Sequence, residues 1–162
     1  MSHDNWETPK DLLEVVRAEF SFDLDAAADK YNAVCPKFID MEQNALTTRW
    51  TGTTVWCNPP YTMKEEFIAR AYDQHQHEAN DIVLLLPADT DTKWWANYAL
   101  QADEIRFLVG RLRFLEDGKP GKDTARFPSA LIIFKHHYGV RRNGPSIWWW
   151  DWRNRGQGVE QA

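Results

Sequence analysis

The apolar positions along this chain of 162 residues fall into two kinds of pattern. Three segments repeat apolar residues at helical spacing, and they predict helices at residues 8–20, 63–79 and about 92–102. The run from Ile82 to Leu86 is apolar without alternation, which is typical of a strand buried on both faces of a parallel sheet. The pattern therefore predicts helices that alternate with strands.

Shorter apolar runs predict the other strands, at residues 22–25, 53–57, 104–109, 112–115 and 130–134. This order indicates a compact three-layer α/β fold, with a mostly parallel sheet and antiparallel strands near the C-terminus. No repeat, linker or low-complexity segment interrupts the chain, so we expect one domain over residues 1–162.

Both ends of the chain carry local signals. Thr8 and Pro9 predict the N-cap and the first position of the first helix, and Asp11 completes a variant of the capping box. The residues after Trp152 are expected to fray.

Composition restricts the class of protein. Hydrophobic residues make up 43% and charged residues 27%, as in ordinary soluble domains. No apolar run approaches the roughly 20 residues of a membrane span, and the N-terminus does not read as a signal peptide. The two cysteines, Cys35 and Cys57, have no metal-ligand spacing, so we expect no metal and a reducing cytoplasm.

Charge is distributed unevenly along the chain. Residues 1–104 hold 8 Lys or Arg and 19 Asp or Glu, whereas residues 105–162 hold 11 and 5, for a total net charge of −5. The basic last third can meet a phosphate backbone, although an ordinary solvated surface is the alternative.

The tetrapeptide Asn58-Pro59-Pro60-Tyr61, between a predicted strand and a predicted helix, is the candidate chemical site. The Asn58 amide oxygen can accept a hydrogen bond from an amino group, and the two prolines stiffen the backbone so that the Pro59 carbonyl can face a ligand. The Tyr61 ring can stack on a flat base. The competing interpretation is a plain turn, since Asn-Pro and Pro-Pro are common in turns. The position after a buried strand favours a ligand site.

Two common nucleotide-binding signatures are missing. Nothing in the chain matches G-x-G-x-x-G or G-x-x-x-x-G-K-[ST], which argues against a nicotinamide enzyme and a P-loop NTPase. Neither a Ser/His/Asp arrangement nor a metal cluster is evident.

An ordered set of motifs resembles one family, the small phage and prophage DNA adenine-N6 methyltransferases of the Dam type. The set comprises Trp6-Glu7-Thr8-Pro9, Phe22-Asp23-Leu24-Asp25-Ala26-Ala27-Ala28, Asn44-Ala45-Leu46, Val55-Trp56-Cys57-Asn58-Pro59-Pro60-Tyr61, Val83-Leu84-Leu85-Leu86-Pro87-Ala88 and Gly110-Arg111-Leu112-Arg113-Phe114. The resemblance implies a Rossmann-like methyltransferase fold that uses S-adenosyl-L-methionine.

The resemblance also implies a cofactor site and a catalytic site. The implied cofactor contacts are Trp6, Thr8, Pro9, Asp25, Ala26, Ala27, Ala28, Asn44 and Leu46. Asn44 departs from the family, which commonly has Asp there for the cofactor's adenine. The catalytic residues would be Asn58, Pro59, Pro60 and Tyr61, acting on an adenine flipped out of the duplex.

Double-stranded DNA is the implied partner. The candidate contacts with the phosphates or the base are Lys93, Trp94, Arg111, Arg113, Phe114, Lys119, Lys122 and Arg126, and ordinary surface charge is the alternative for the basic ones. Only 28 residues separate Asp29 from Asn58, and 48 follow Phe114. We therefore expect no separate target-recognition domain, and a recognition of the target that is short, relaxed or helped by a partner subunit. An RNA adenine or protein glutamine methyltransferase, or a non-catalytic nucleic-acid-binding relative, are the alternatives. We expect a phage-encoded protein that acts in the cytoplasm of the bacterial host.

Overall fold

A seven-stranded mixed sheet with helices on both faces forms the body of the protein. The computed structural model describes Asp4, residues 6–137 and 143–154, and the backbone of Gln157–Gln161. The helices are α1 (Lys10–Glu19), α2 (Lys64–Glu78) and α3 (Lys93–Asn97). Short 3₁₀ turns occupy Tyr61–Met63, Ala99–Gln101 and Trp152–Asn154.

The strands follow one another in the chain as β1 (Leu24–Asp25), β2 (Thr54–Cys57), β3 (Asp81–Pro87), β4 (Glu104–Leu108), β5 (Leu115–Glu116), β6 (Lys119–Pro120), β7 (Ser129–Phe134), β8 (Ser146–Asp151) and β9 (Gln157–Gln161). The large sheet has the order β1-β2-β3-β7-β4-β8-β9, and β5 with β6 forms a separate hairpin. In the large sheet β7 and β9 run opposite to the other five strands. The strand directions confirm the expected α/β sheet, which is mostly parallel and has antiparallel strands later in the chain.

The strand β3 is buried on both faces, as its continuous apolar run predicts. Ile82, Leu84 and Leu86 belong to the core beneath α2 and α3. Val83 and Leu85 belong to a second core that includes Leu12 and Val16 of α1. Alternate side chains of a strand point to opposite faces, so β3 contributes to both cores and separates the two helical layers.

The third helix is shorter than predicted. The helix ends at Asn97, and a 3₁₀ turn over Ala99–Gln101 replaces its continuation to residue 102. The Thr92 side chain accepts a hydrogen bond from the backbone of Trp95 and caps the short helix. Ala99 and Ala102, in and just after this turn, are buried in the core.

Thr8 is not the cap of the first helix. The cap position is Pro9, which makes no side-chain capping bond, and Asp11 bonds the neighbouring backbone N–H of Leu12. The Thr8 hydroxyl instead accepts a hydrogen bond from Asn58. A long-range partner therefore replaces the local cap.

Two predictions near the C-terminus are wrong. The strand expected at 112–115 begins only at Leu115, because Leu112 and Phe114 are buried by loop packing rather than by strand pairing. The frayed chain expected after Trp152 is contradicted at Gln157–Gln161, where the backbone of β9 forms an antiparallel ladder with β8. None of the described helices is both long and apolar enough to span a bilayer.

Candidate active site

Three neighbouring parallel strands end at the same edge of the sheet. The strands β1, β2 and β3 pair in parallel, with Asp25 beside Trp56 and Cys57 beside Leu84. Their carboxyl ends therefore bring together residues 26–28, Asn58–Tyr61 and residues 88–89. Carboxyl ends of strands in open α/β sheets are where ligands bind.

The N-terminal strap, defined here as Asp4 and residues 6–8, crosses this edge. The Asp4 carboxylate accepts hydrogen bonds from the backbone N–H and the hydroxyl of Thr62, the second at 2.6 Å. Glu7 forms an antiparallel bridge with Leu115, with backbone bonds of 2.9 and 3.1 Å. The strap thus joins the loop after β2 to the β5–β6 hairpin.

The Asn58 amide is fixed by the strap. Its Nδ2 donates to the Trp6 carbonyl at 2.7 Å and to Thr8 Oγ1 at 3.1 Å. These bonds use both amide hydrogens and set the orientation of the group. The amide atom left for a ligand is Oδ1, which can only accept a hydrogen bond.

A large cleft of about 240 Å³ lies between the strap and the segments that follow β1 and β2. Of the residues predicted to bind the cofactor, it is lined by Trp6, Thr8, Asp25, Ala26, Ala27, Ala28 and Asn44. Pro9 and Leu46 do not line it: Pro9 lies at a separate surface groove, and Leu46 packs against the core.

The large cleft is acidic. Its carboxylates are Asp4, Glu7, Asp25, Asp29 and Asp40, and no Lys, Arg or His is among its described lining residues. Opposite charges attract across a cleft with low-dielectric walls, so this arrangement favours a cationic ligand.

Asp25 is the most buried carboxylate of the cleft, with 2% of its surface exposed. Its Oδ1 accepts from the backbone of Ala27 and its Oδ2 from the backbone of Val34, each at 3.1 Å. Burial raises the pKa of Asp25 to about 6, although these hydrogen bonds oppose the shift. The carboxylate therefore anchors the bend after β1 and also lines the large cleft.

Asn44 has a left-handed backbone conformation with φ of 58°. Its Oδ1 accepts from the backbone of Leu46 at 3.1 Å, which closes a local turn. Asn tolerates this conformation better than most residues, because its short polar side chain bonds nearby backbone. The local turn gives a structural reason for Asn at this position.

A small cleft of about 20 Å³ lies on the other side of the Asn58 motif. It is lined by Asn58, Pro59, Tyr61 and Phe114, together with Trp6, Lys64, Leu85, Leu86, Pro87 and Phe127. Trp6 and Asn58 line both clefts. The Asn58 side chain therefore stands at the boundary between an acidic cleft and an aromatic one.

The Tyr61 ring is already engaged by two neighbours. The Phe127 ring stacks against it with centroids 5.3 Å apart and an angle of 27° between planes. The Lys64 ammonium lies 3.8 Å from the centroid of the Tyr61 ring. Phe114 continues the aromatic wall, with ring contacts to Phe127 and to Trp6.

Of the residues predicted to contact DNA, Phe114 lines the small cleft, and the others line neither the large nor the small cleft. Lys93, Arg111, Lys119, Lys122 and Arg126 are exposed. Arg113 donates to the carbonyls of Gly121 and Lys122, so it supports the loop that leads to Phe127. Trp94 lies in the core with 4% exposure and lines neither cleft, because it packs on the sheet beside Trp95.

Sequence reasoning missed Lys64, Phe127 and much of the floor of the large cleft. Ile39 and Asp40 reach that cleft because Phe38 bridges to Asp25 beside β1. That segment lacks any apolar period, so the sequence held no signal for it. Lys64 sits three residues after Tyr61, so its short spacing from the Asn58 motif was a local signal that it could lie at the same site. Within the described part of the chain, no group of three or more His, Cys, Asp or Glu could hold a metal ion.

Comparison with known proteins agrees with this geometry. The family model for DNA N-6-adenine-methyltransferase (Dam) matches residues 1–148. The chain is 39% identical over 149 residues to a DNA N-6-adenine-methyltransferase of Escherichia phage T1, an alignment that covers 81% of this chain and 61% of the phage protein. It is 34% identical over 137 residues to a DNA N-6-adenine-methyltransferase of Haemophilus phage HP1 (strain HP1c1), covering 82% of this chain and 79% of that relative.

The chain spans about three fifths of the length of the phage T1 relative and about four fifths of the phage HP1 relative. The family match covers most of the chain, including both clefts up to Phe127. The resemblance inferred from the ordered motifs is therefore confirmed, and the chain belongs to the DNA N-6-adenine-methyltransferase (Dam) family.

Proposed function

We propose that this protein transfers a methyl group from S-adenosyl-L-methionine to the N6 amino group of adenine in double-stranded DNA. The observation that carries the proposal is the Asn58 amide, whose nitrogen is tied to the strap while its oxygen remains as an acceptor between the two clefts. We further propose that the sheet is the core of a Rossmann-like methyltransferase fold.

The large cleft suits the cofactor. S-adenosyl-L-methionine supplies a methyl group on a positively charged sulfur, and its ammonium and carboxylate groups offset each other, so the molecule carries a net positive charge. A cleft lined by five carboxylates and no described basic side chain matches such a cation. Its volume of about 240 Å³ is near the lower end of ligand cavities, roughly 300 Å³. Asp25, Ala27 and Asn44 would hold the cofactor from the strand side.

The small cleft suits one base. Asn58 Oδ1 and the Pro59 carbonyl would accept the two hydrogens of the N6 amine and direct the nitrogen lone pair toward the large cleft. Tyr61 and Phe114 would contact the faces of the base. A base inside the duplex cannot reach this position, so it must be flipped out. Catalysis would then come from positioning and from fixed polar groups.

The exposed basic residues of the last third would hold the DNA backbone. Lys119, Lys122 and Arg126 are exposed on the segment between Phe114 and Phe127, which both line the small cleft, and Arg111 lies three residues before Phe114. Residues 1–104, by contrast, carry a net negative charge. This placement favours a nucleic acid over a protein glutamine as substrate.

The test is transfer of radiolabelled methyl from S-adenosyl-L-methionine to unmethylated DNA, with RNA and protein acceptors in parallel. We expect label in DNA as N6-methyladenine, and its loss in Asn58→Ala. Asn97→Ala, at an exposed position of α3, is the matched control and should keep full activity. Label in RNA or protein alone, or equal activity of Asn58→Ala, would contradict the proposal.

A further inference from the structure

We propose that Lys64 recognises the flipped base by donating a hydrogen bond to a ring nitrogen beside N6, either N1 or N7. The inference rests on the proposed function of the small cleft. It adds a specificity-determining residue that lies outside the Asn58 motif and its stacking aromatics.

The position of the Lys64 ammonium supports this role. It lies 3.8 Å from the Tyr61 ring centroid. An ammonium this close to the ring centroid makes a cation–π contact with the face of Tyr61, and it therefore occupies space that a base stacked on that face would enter. A donor in the plane of a base is what an in-plane hydrogen bond to a ring nitrogen requires.

Lys64 is also held in place. Its side chain is 19% exposed, and Nζ lies 3.3 Å from the Asp89 carboxylate, whose side chain is 26% exposed. A lysine on the first turn of a surface helix would ordinarily extend into water. Here the ion pair with Asp89, two residues after the end of β3, holds the ammonium while Lys64 lines the small cleft.

The chemistry of adenine matches this arrangement. Asn58 Oδ1 and the Pro59 carbonyl can only accept hydrogen bonds, so they suit the N6 amine but not the ring nitrogens that flank it. Those nitrogens are acceptors and need a donor. Among the described residues lining the small cleft, Lys64 carries the only cationic side chain.

Asp89 makes the cation compatible with the reaction. Methyl transfer places developing positive charge on N6, which an unpaired ammonium nearby would oppose. The paired carboxylate offsets that charge while it leaves further ammonium hydrogens for the base.

Entry of the base requires the small cleft to widen, because about 20 Å³ does not hold a purine. Movement of Lys64 from the centre of the Tyr61 ring toward its edge would provide part of this space.

The experiment uses duplexes that carry the mapped target adenine, or 1-deazaadenine or 7-deazaadenine at that position alone. With the native chain, kcat/KM should fall roughly ten- to a hundredfold for the analogue that lacks the contacted nitrogen, as expected for loss of a charged hydrogen bond. Lys64→Met should lose a similar factor with adenine and should no longer distinguish that analogue. Lys64→Arg should restore part of the discrimination.

The outcomes separate the two proposals. If the native chain methylates no DNA, the proposed function fails. If it methylates adenine and both analogues equally well, the role of Lys64 is wrong, and this result needs no variant. If Lys64→Met weakens DNA binding but keeps the native analogue profile, Lys64 contacts a phosphate instead, which also overturns the inference. Cofactor affinity and thermal unfolding of Lys64→Met serve as the folding controls.

Discussion

Asn58 must be an amide because of what it touches. The Trp6 carbonyl and the Thr8 hydroxyl both take hydrogens from Nδ2. A carboxylate at this position would place an oxygen 2.7 Å from a carbonyl oxygen that has nothing to donate. The identity of this residue therefore depends on the strap as much as on the ligand.

Asn58→Asp should be damaging although it keeps an acceptor. We expect a loss of about 2 kcal/mol in the free energy of unfolding, because the Trp6 carbonyl loses its donor and faces a like charge. Methyl transfer should fall with it. Urea unfolding measures the first effect. Thr8→Val is the control: it removes only one of the two acceptors of the Asn58 amide, so its loss in the free energy of unfolding should be smaller. If Asn58→Asp proved as stable as the native chain, the explanation would be contradicted.

The burial of Asp25 should make stability depend on pH. Its pKa rises from 3.8 to about 6 in the folded chain, so the folded state binds the proton more tightly than the unfolded state does. Its stabilising contribution is complete below about pH 4 and is lost as the pH rises through 6. Relative to Asp25→Asn, the native chain should lose up to about 3 kcal/mol across this range.

Urea unfolding at pH 4, 5, 6 and 7 checks the effect for both chains. Asn supplies one acceptor oxygen for two backbone donors, so the variant carries an additional loss that is constant with pH. A difference between the two chains that does not change with pH would contradict the raised pKa.

At the scale of elements, Arg106 joins the end of α1 to the sheet. Its guanidinium bonds both carboxylate oxygens of Glu19, at 2.6 and 2.7 Å, and also the nearly buried Glu104 of β4. The hydrogen bonds from Arg106 lower the pKa of the Glu19 carboxyl, against the effect of burial. Helix and strand are therefore aligned by a paired-charge contact in addition to their apolar core.

Arg106→Met should destabilise the fold by about 3 kcal/mol, because Lys135 is then the only ionic partner that the described residues offer to the nearly buried Glu104. Urea unfolding at neutral pH measures the loss. Arg49→Met breaks the pair with Glu78, in which the Arg49 side chain is 73% exposed, and serves as the control, with little change expected. Equal losses in the two variants would show that burial does not set the cost.

The elements also show where sequence reasoning succeeds. The apolar run of β3 and the helical spacing of α1 and α2 are local signals, and the structure confirms them. The Asn58 motif after β2 was located in the same way. The strap, Phe127 and the insertion of β7 depend on partners more than 20 residues away, for which a single sequence carries no local signal.

At the scale of the whole molecule, charge is separated along the chain. The lining residues of the large cleft all come from the acidic residues 1–104. The basic residues 105–162 contribute Phe114 and Phe127 to the small cleft, together with the loops beside them. An overall net charge of −5 is therefore compatible with DNA binding on one side.

DNA affinity should fall steeply with salt, since each phosphate contact releases counterions. Lys122→Ala should reduce the slope of log affinity against log salt by about one, measured by fluorescence anisotropy with a labelled duplex. Lys30→Ala, an exposed lysine in the acidic part, should leave the slope unchanged. A similar reduction in both variants would show that the contacts are not confined to the basic loops.

The place of β7 in the sheet determines when the protein can form during synthesis. The strand β7 lies between β3 and β4, although it follows both in the chain. Until residue 134 has left the ribosome, β3 and β4 have a vacant position between them, and Phe127 is not yet beside Tyr61. Contacts between residues far apart in the sequence form late in folding, because the entropy of closing the loop between them is lost before the contact stabilises the chain. A nascent chain that already displays Asn58 therefore lacks the complete small cleft, and a fragment that ends before Phe127 should show none of the proposed methyl transfer.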